Sequence, residues 1–212
     1  MADVSTITLL YTANLVGKLE LLPRLATLVQ AERRAAAVTV LLDLGDTCAL
    51  DAWICPATEG RAPLIVLDSM GYDAALVGGP EEVSIPPASL RDLAGRVMMS
   101  IILWGRAAHL TKRDTTLHLA SGPVLLAPDQ PGVVIDRSAP TLPGPGAPLP
   151  TLGDVPQGAL ARVDLAWPTA TVIKTRLVHI LPQTPADPTI SAIIELVQAE
   201  ARDYVQQRKG DS

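Results

Sequence analysis

Phenylalanine is absent from these 212 residues, and only three Trp and three Tyr carry large rings. A core must therefore be assembled from Leu, Val, Ile and Ala, with few bulky anchors. Positive charge is also short: 17 basic residues face 22 acidic ones, for a net charge of −5. The basic residues form nothing larger than adjacent pairs, as at Arg33-Arg34 and Lys112-Arg113, so no nucleic-acid partner is expected. No apolar run approaches the ~20 residues that cross a bilayer; Val97–Trp104 is far too short. The first residues lack a basic segment followed by an apolar one, so no secretory signal is read and a cytoplasmic location is expected. Cys48 and Cys55 are too few for a disulfide framework and are not spaced as zinc ligands, so ordinary thiols in a reducing compartment are expected. Histidine is limited to His109, His118 and His179, none paired at i+2.

Apolar residues make up 48% and charged residues 18% of the chain, enough for a substantial core and too greasy for general disorder. At this length a single domain over 1–212 is expected. Thr6–Thr12 reads as a buried strand, and Leu21, Leu22, Leu25, Leu28 and Val29 recur at helical spacing within a helix over Leu21–Ala37. Val38–Leu44 is a second strand, and the alternation continues. Helix Pro63–Met70 leads to strand Ala74–Val77, and helix Pro87–Ala94 to strand Val97–Trp104. Such alternation implies right-handed crossovers and a mainly parallel α/β sheet covered on both faces. Sites in such sheets lie outside the carboxyl ends of the strands. Here those ends are Thr12–Gly17, Gly45–Thr47 and Gly78–Glu81.

After Ser121 the texture changes, and 13 of the 19 prolines fall between Pro123 and Pro188. Proline removes backbone donors and fixes φ, so Ala139–Gln157 is expected to be an extended, irregular connection. Its Ala139–Pro150 part is a place for partner contact or a passive loop. Ala159–Leu165 and Thr171–Leu181 alternate as a C-terminal β-hairpin around Trp167-Pro168-Thr169. A long C-terminal helix follows over Pro188–Gln207, with Asp187 as N-cap and Pro188 at its first position.

The three strand ends read TANLVGKLE (Thr12–Glu20), LLDLGDTC (Leu41–Cys48) and GYDAALVGGPEE (Gly71–Glu82). In this order and spacing they resemble the 5′-nucleotidase type of calcineurin-like metallophosphoesterase, whose pattern runs roughly T-N-D-x-H-G, D-x-G-D-T and G-Y-D-A…G-N-H-E. The likeness resumes at Gly158–Leu165, in the strand to Leu181, and at Thr184–Pro188 entering the last helix. It covers most of residues 5–105 and 158–207. The resemblance implies a layered metallophosphoesterase-like sheet core with flanking helices. In that family two divalent metal ions such as Mn, Fe or Zn polarise a phosphate and supply a hydroxide.

This chain departs from the pattern at its most diagnostic positions. Asn14 stands where the first Asp belongs, Val16 where the His belongs, and Gly79 and Pro80 replace the Asn and His of the third motif. Asp43, Gly45, Asp46 and Thr47 persist, so Asp46 is the remnant of the bridging carboxylate. The late Gly-His-x-His motifs have no counterpart. A valine ligates nothing, and one carboxylate beside one amide falls short of the four to six ligands that each cation wants. No metal or other cofactor is therefore expected, and the function expected is a non-catalytic binding, scaffolding or subunit module. Its partner would be an unidentified protein or a second copy of the chain. The alternative is a metal-dependent phosphoesterase with a rearranged site, for which Asp46, Asn14 and Glu81 are the candidate catalytic residues. Each also has a plain structural reading: Asp46 and Asn14 as turn residues, Gly78-Gly79-Pro80 as a tight turn, Glu81 at a helix start. Cys48, beside the former site, is the best candidate for a reactive thiol, with burial as a small hydrophobe the plainer expectation.

Overall fold

In the computed structural model, which describes residues 5–79, 85–127 and 130–210, β1 (Ser5–Thr12) sits in the middle of a six-stranded sheet. Its side chains alternate between two apolar layers, as a pleated strand requires. Ile7, Leu9 and Tyr11 point to one layer and Leu10 to the other. β2 (Thr39–Asp43), β3 (Ala74–Val77) and β4 (Ser100–Leu103) follow on one side, all parallel. On the other side β9 (Ala159–Trp167) and β10 (Thr171–His179) are added antiparallel, giving the order β10-β9-β1-β2-β3-β4.

Helices cover one face. α1 (Leu22–Arg34) follows a 3-10 turn at Leu19–Leu21, accepts Pro23 in its first turn, and buries Leu22, Leu25 and Val29. α2 (Ile54–Ala57), α3 (Arg61–Ser69) and α4 (Pro87–Ala94) continue that layer. α5 (Pro188–Gly210) lies across α1, α2 and α3 and buries Ile190, Ile194, Val197 and Ala201. Asp187 caps α5 as expected, its Oδ1 accepting from the backbone N–H of Thr189 (2.9 Å) and Ile190 (3.1 Å). Each fully buried Leu or Ile in this layer is worth roughly 1.5–3 kcal/mol.

The opposite face is covered by a second sheet, which the sequence reading did not include. It is ordered β5 (Ala107–Lys112), β6 (Thr115–Ser121), β7 (Gly132–Ile135), β8 (Thr151–Leu152). Leu117, Leu119, Val133, Ile135 and Leu152 face Ile7, Leu9, Tyr11, Val40 and Leu42 across the inner layer. Strand Val97–Trp104 is correspondingly shorter than expected, because only Ser100–Leu103 pairs with β3.

The proline-rich connection is irregular but closely packed. The Tyr11 hydroxyl donates to the Thr141 carbonyl (2.5 Å), and Gly146 and Ala147 exchange backbone bonds with Val172 (2.8 and 3.2 Å). At Gly153 a Cβ would lie 2.2 Å from the carbonyl oxygens of both Ala139 and Pro140, so only glycine fits there. Among the described residues no helix is long and apolar enough to cross a membrane.

Candidate functional site

The loops leaving β1 and β2 lie side by side beyond the sheet, laced by backbone bonds. Asn14 donates to Gly45 (3.1 Å), Val16 to Asp46 (2.8 Å) and Gly17 to Thr47 (2.7 Å). Asn14, Val16 and Asp46 all hold positive φ, at 57°, 44° and 53°. This conformation is costly for side chains other than glycine, most of all for a branched one, and it persists only where the surroundings enforce it. Beneath the loops, Asp43 accepts from the Thr12 hydroxyl (2.7 Å) and from the Gly45 N–H (3.0 Å). Tyr72 meets the same hydroxyl at 3.0 Å. Burial, with the Asp43 charge beside it, pushes the Tyr72 hydroxyl far above its ordinary range.

Asn14 and Asp46 are brought together by a residue the sequence reading missed. Arg137, just past the end of β7, places Nη1 2.5 Å from Asp46 Oδ2. Its Nη2 donates to Asn14 Oδ1 (2.7 Å) and to Asp154 Oδ1 (2.9 Å), and its Nε reaches Asp154 Oδ1 at 3.2 Å. The Asn14 amide in turn donates to Asp154 Oδ2 (2.6 Å) and to the Val155 carbonyl (3.0 Å). Gln157 donates to the carbonyls of Asn14 and Leu15 and accepts from Lys18, so residues 154–157 are tied down over the first loop. Burial alone would lower the Arg137 pKa; the hydrogen bonds and charges of Asp46 and Asp154 outweigh it and hold the guanidinium above its ordinary value. Asp46 Oδ1 is buried and has no hydrogen-bond partner.

Gly79 lines this cluster: a Cβ there would sit 3.8 Å from Asp46 Oδ1 and 4.0 Å from Arg137 Nη1. Pro80 and Glu81 lie outside the described residues. His109 and His118 face each other across β5 and β6, and His179 ends β10, so no histidine belongs to the site.

The expectation of free thiols is corrected. Cys48 and Cys55 form a disulfide, with Cα atoms 5.6 Å apart, because the loop into α2 turns back on itself. Cys48 is therefore no reactive thiol. The bridge packs against the first loop at Gly17 (φ 79°), where a Cβ would approach Ala52 Cβ to 2.5 Å and Cys55 Sγ to 2.9 Å.

Two divalent cations do not fit these residues. Val16 offers no donor, and Asp46 gives one oxygen to Arg137. Among the described residues no three His, Cys, Asp or Glu side chains group to hold a metal ion. The cluster contains two carboxylates and one guanidinium, and its amide groups do not ionise near neutral pH.

The fold is nevertheless that of known nucleotidases. The chain superimposes on the 5′-nucleotidase precursor from Thermus thermophilus with a TM-score of 0.64 at 12% identity, covering 93% of this chain and 59% of that one. A putative 5′-nucleotidase from Staphylococcus aureus gives a TM-score of 0.60 at 10% identity, covering 92% and 58%. The NAD nucleotidase of Haemophilus influenzae gives 0.59 at 8% identity, covering 95% and 61%. No protein-family model matches the sequence, and no curated protein does. The chain thus has a two-sheet, metallophosphoesterase-like α/β fold with a C-terminal helix. It spans about three-fifths of the length of these solved chains.

Proposed function

We propose that this chain is a non-catalytic protein of metallophosphoesterase-like fold that works without metal as a binding, scaffolding or subunit module. One observation carries the reading: the guanidinium of Arg137 lies on Asp46, the carboxylate that would otherwise bridge the cations. The site then has neither the ligands to generate a hydroxide nor a free acid–base pair to replace it. The partner is a protein or a second copy of the chain. The cytoplasmic location expected from the sequence loses its thiol argument to the Cys48–Cys55 bridge, which suits an oxidising compartment.

Metal analysis of the purified protein, together with hydrolysis of a generic phosphate ester and of nucleoside monophosphates in the presence of Mn²⁺, tests the reading. The expected result is no stoichiometric metal and no turnover above the uncatalysed rate. Turnover abolished by Asp46→Ala would establish the competing hydrolase reading instead.

A further inference from the structure

We infer that Arg137 is a built-in replacement for a bound cation, holding together by its own charge the loops that a metal centre would otherwise organise. The inference rests on the non-catalytic reading and deepens it. Oxygens from three distant segments converge on this guanidinium: Asp46 Oδ2 from the β2 loop, Asn14 Oδ1 from the β1 loop, and Asp154 Oδ1 from the end of the proline-rich connection. Carboxylate and amide oxygens converging on one point are what a hard cation attracts. Here the five-donor fork of an arginine fills that point, with hydrogen bonds as well as charge.

The strained backbone marks the same place. Asn14, Val16 and Asp46 keep positive φ beside the guanidinium, and conformations of this kind survive only when something over-determines them. The substitution is incomplete in charge. One guanidinium faces two carboxylates, and Asp46 Oδ1 stays buried without a donor. Removing the arginine should thus leave a negatively charged, oxygen-lined position that a free cation can enter.

Thermal unfolding of the whole chain with and without Mn²⁺ tests this. Wild type is expected to be indifferent to millimolar Mn²⁺ and to EDTA. Arg137→Met is expected to lower the Tm by about 5–10 °C, and millimolar Mn²⁺ to restore at least half of that loss, as a ligand of the folded state alone does. Arg137→Lys, which keeps the charge but not the fork, should lose less Tm than Arg137→Met, and adding Asp46→Asn to Arg137→Met should abolish the response to Mn²⁺. A wild-type Tm that rises with Mn²⁺ or falls with EDTA overturns the inference. So does an Arg137→Met protein that loses no stability, or one that loses stability yet ignores Mn²⁺, since that is an ordinary ion pair. If Arg137→Met does not accumulate folded, refolding with and without Mn²⁺ decides: folding only with the cation supports the replacement, and folding in neither overturns it. Phosphate-ester turnover by wild type would overturn the non-catalytic reading and this inference with it, whereas the adverse Tm results above overturn this inference alone.

Discussion

Two arginines in this molecule each hold two carboxylates, and they do so on different foundations. Arg162 on β9 pairs with Glu32 of α1 at 2.8 Å and with Asp164 at 3.0 Å, and Arg176 of β10 reaches Glu32 as well. Strand register sets its sheet side: Asp164 stands opposite Thr8, whose hydroxyl bonds it at 2.7 Å, and Arg176 stands opposite Arg162. Two positive charges meet two negative ones on regular backbone. Arg137 instead faces an excess of negative charge, on loops whose conformation is strained. The first cluster clamps a helix to a sheet; the second ties together the loops that leave β1 and β2, beyond the carboxyl ends of the strands. Charge is balanced on relaxed backbone in the first cluster and unbalanced on strained backbone in the second.

The comparison breaks most sharply at Arg162. Arg162→Met leaves Glu32 to Arg176 and Asp164 to the Thr8 hydroxyl, on side chains only 12% and 16% exposed, and is expected to cost about 3–5 kcal/mol. Chemical denaturation measures this, and Mn²⁺ should not recover it. Arg137→Met comes next, at about 2–4 kcal/mol because Asp154 is 41% exposed, and it alone should acquire a cation response. Replacing both cysteines of the Cys48–Cys55 bridge by serine should cost about 2 kcal/mol for so short a loop, and limited proteolysis should then cut first between them.

Alkali probes the buried hydroxyls near the Arg137 side. Tyr72 and Tyr11 both have pKa values raised far above the ordinary range, by burial first and, for Tyr72, by the Asp43 charge. The unfolded chain releases these protons from about pH 10 while the folded chain keeps them. The unfolded state then binds fewer protons, and stability falls as pH rises through that value. Tyrosinate absorbance from these two residues should appear only together with loss of helical circular dichroism. The smallest effect belongs to Asp136, next to Arg137 in sequence yet outside its cluster. The Ser138 hydroxyl and backbone N–H hold its carboxyl below the usual range, and Asp136→Asn should change stability by no more than about 0.5 kcal/mol.

Much of the six-stranded sheet was legible in the sequence, because β1, β2 and β3 are continuous apolar runs bounded by turn residues and the helices between them are periodic. The C-terminal hairpin and the Asp187 cap were legible for the same local reasons. The second sheet was not: only Leu110 is buried in β5, and β8 is two residues long, so neither leaves a periodic trace. Asn14 and Asp46 were found through strand ends and motif order. Arg137 was missed because its bond to Asn14 spans 123 positions, and a hydrogen bond of that separation has no local signature. A faint sign existed in Asp154, the sole charged residue within 139–157. The proline-rich stretch, read from the sequence as irregular, contains β8 at Thr151–Leu152, and its seat over Tyr11 depends on a tertiary hydrogen bond that composition does not encode.

That stretch also bears on how copies of the chain meet. β8 closes one side of the second sheet, yet it is two residues long and follows Pro148 and Pro150, which carry no N–H to offer a visiting strand. β10, at the far side of the larger sheet, is interrupted by a register shift between Val172 and Lys174 and exposes Lys174 and Arg176. Both borders are thus poor templates for strand addition, a safeguard against runaway self-assembly. Among the described residues, β4 and β5 are the outer strands left without such protection.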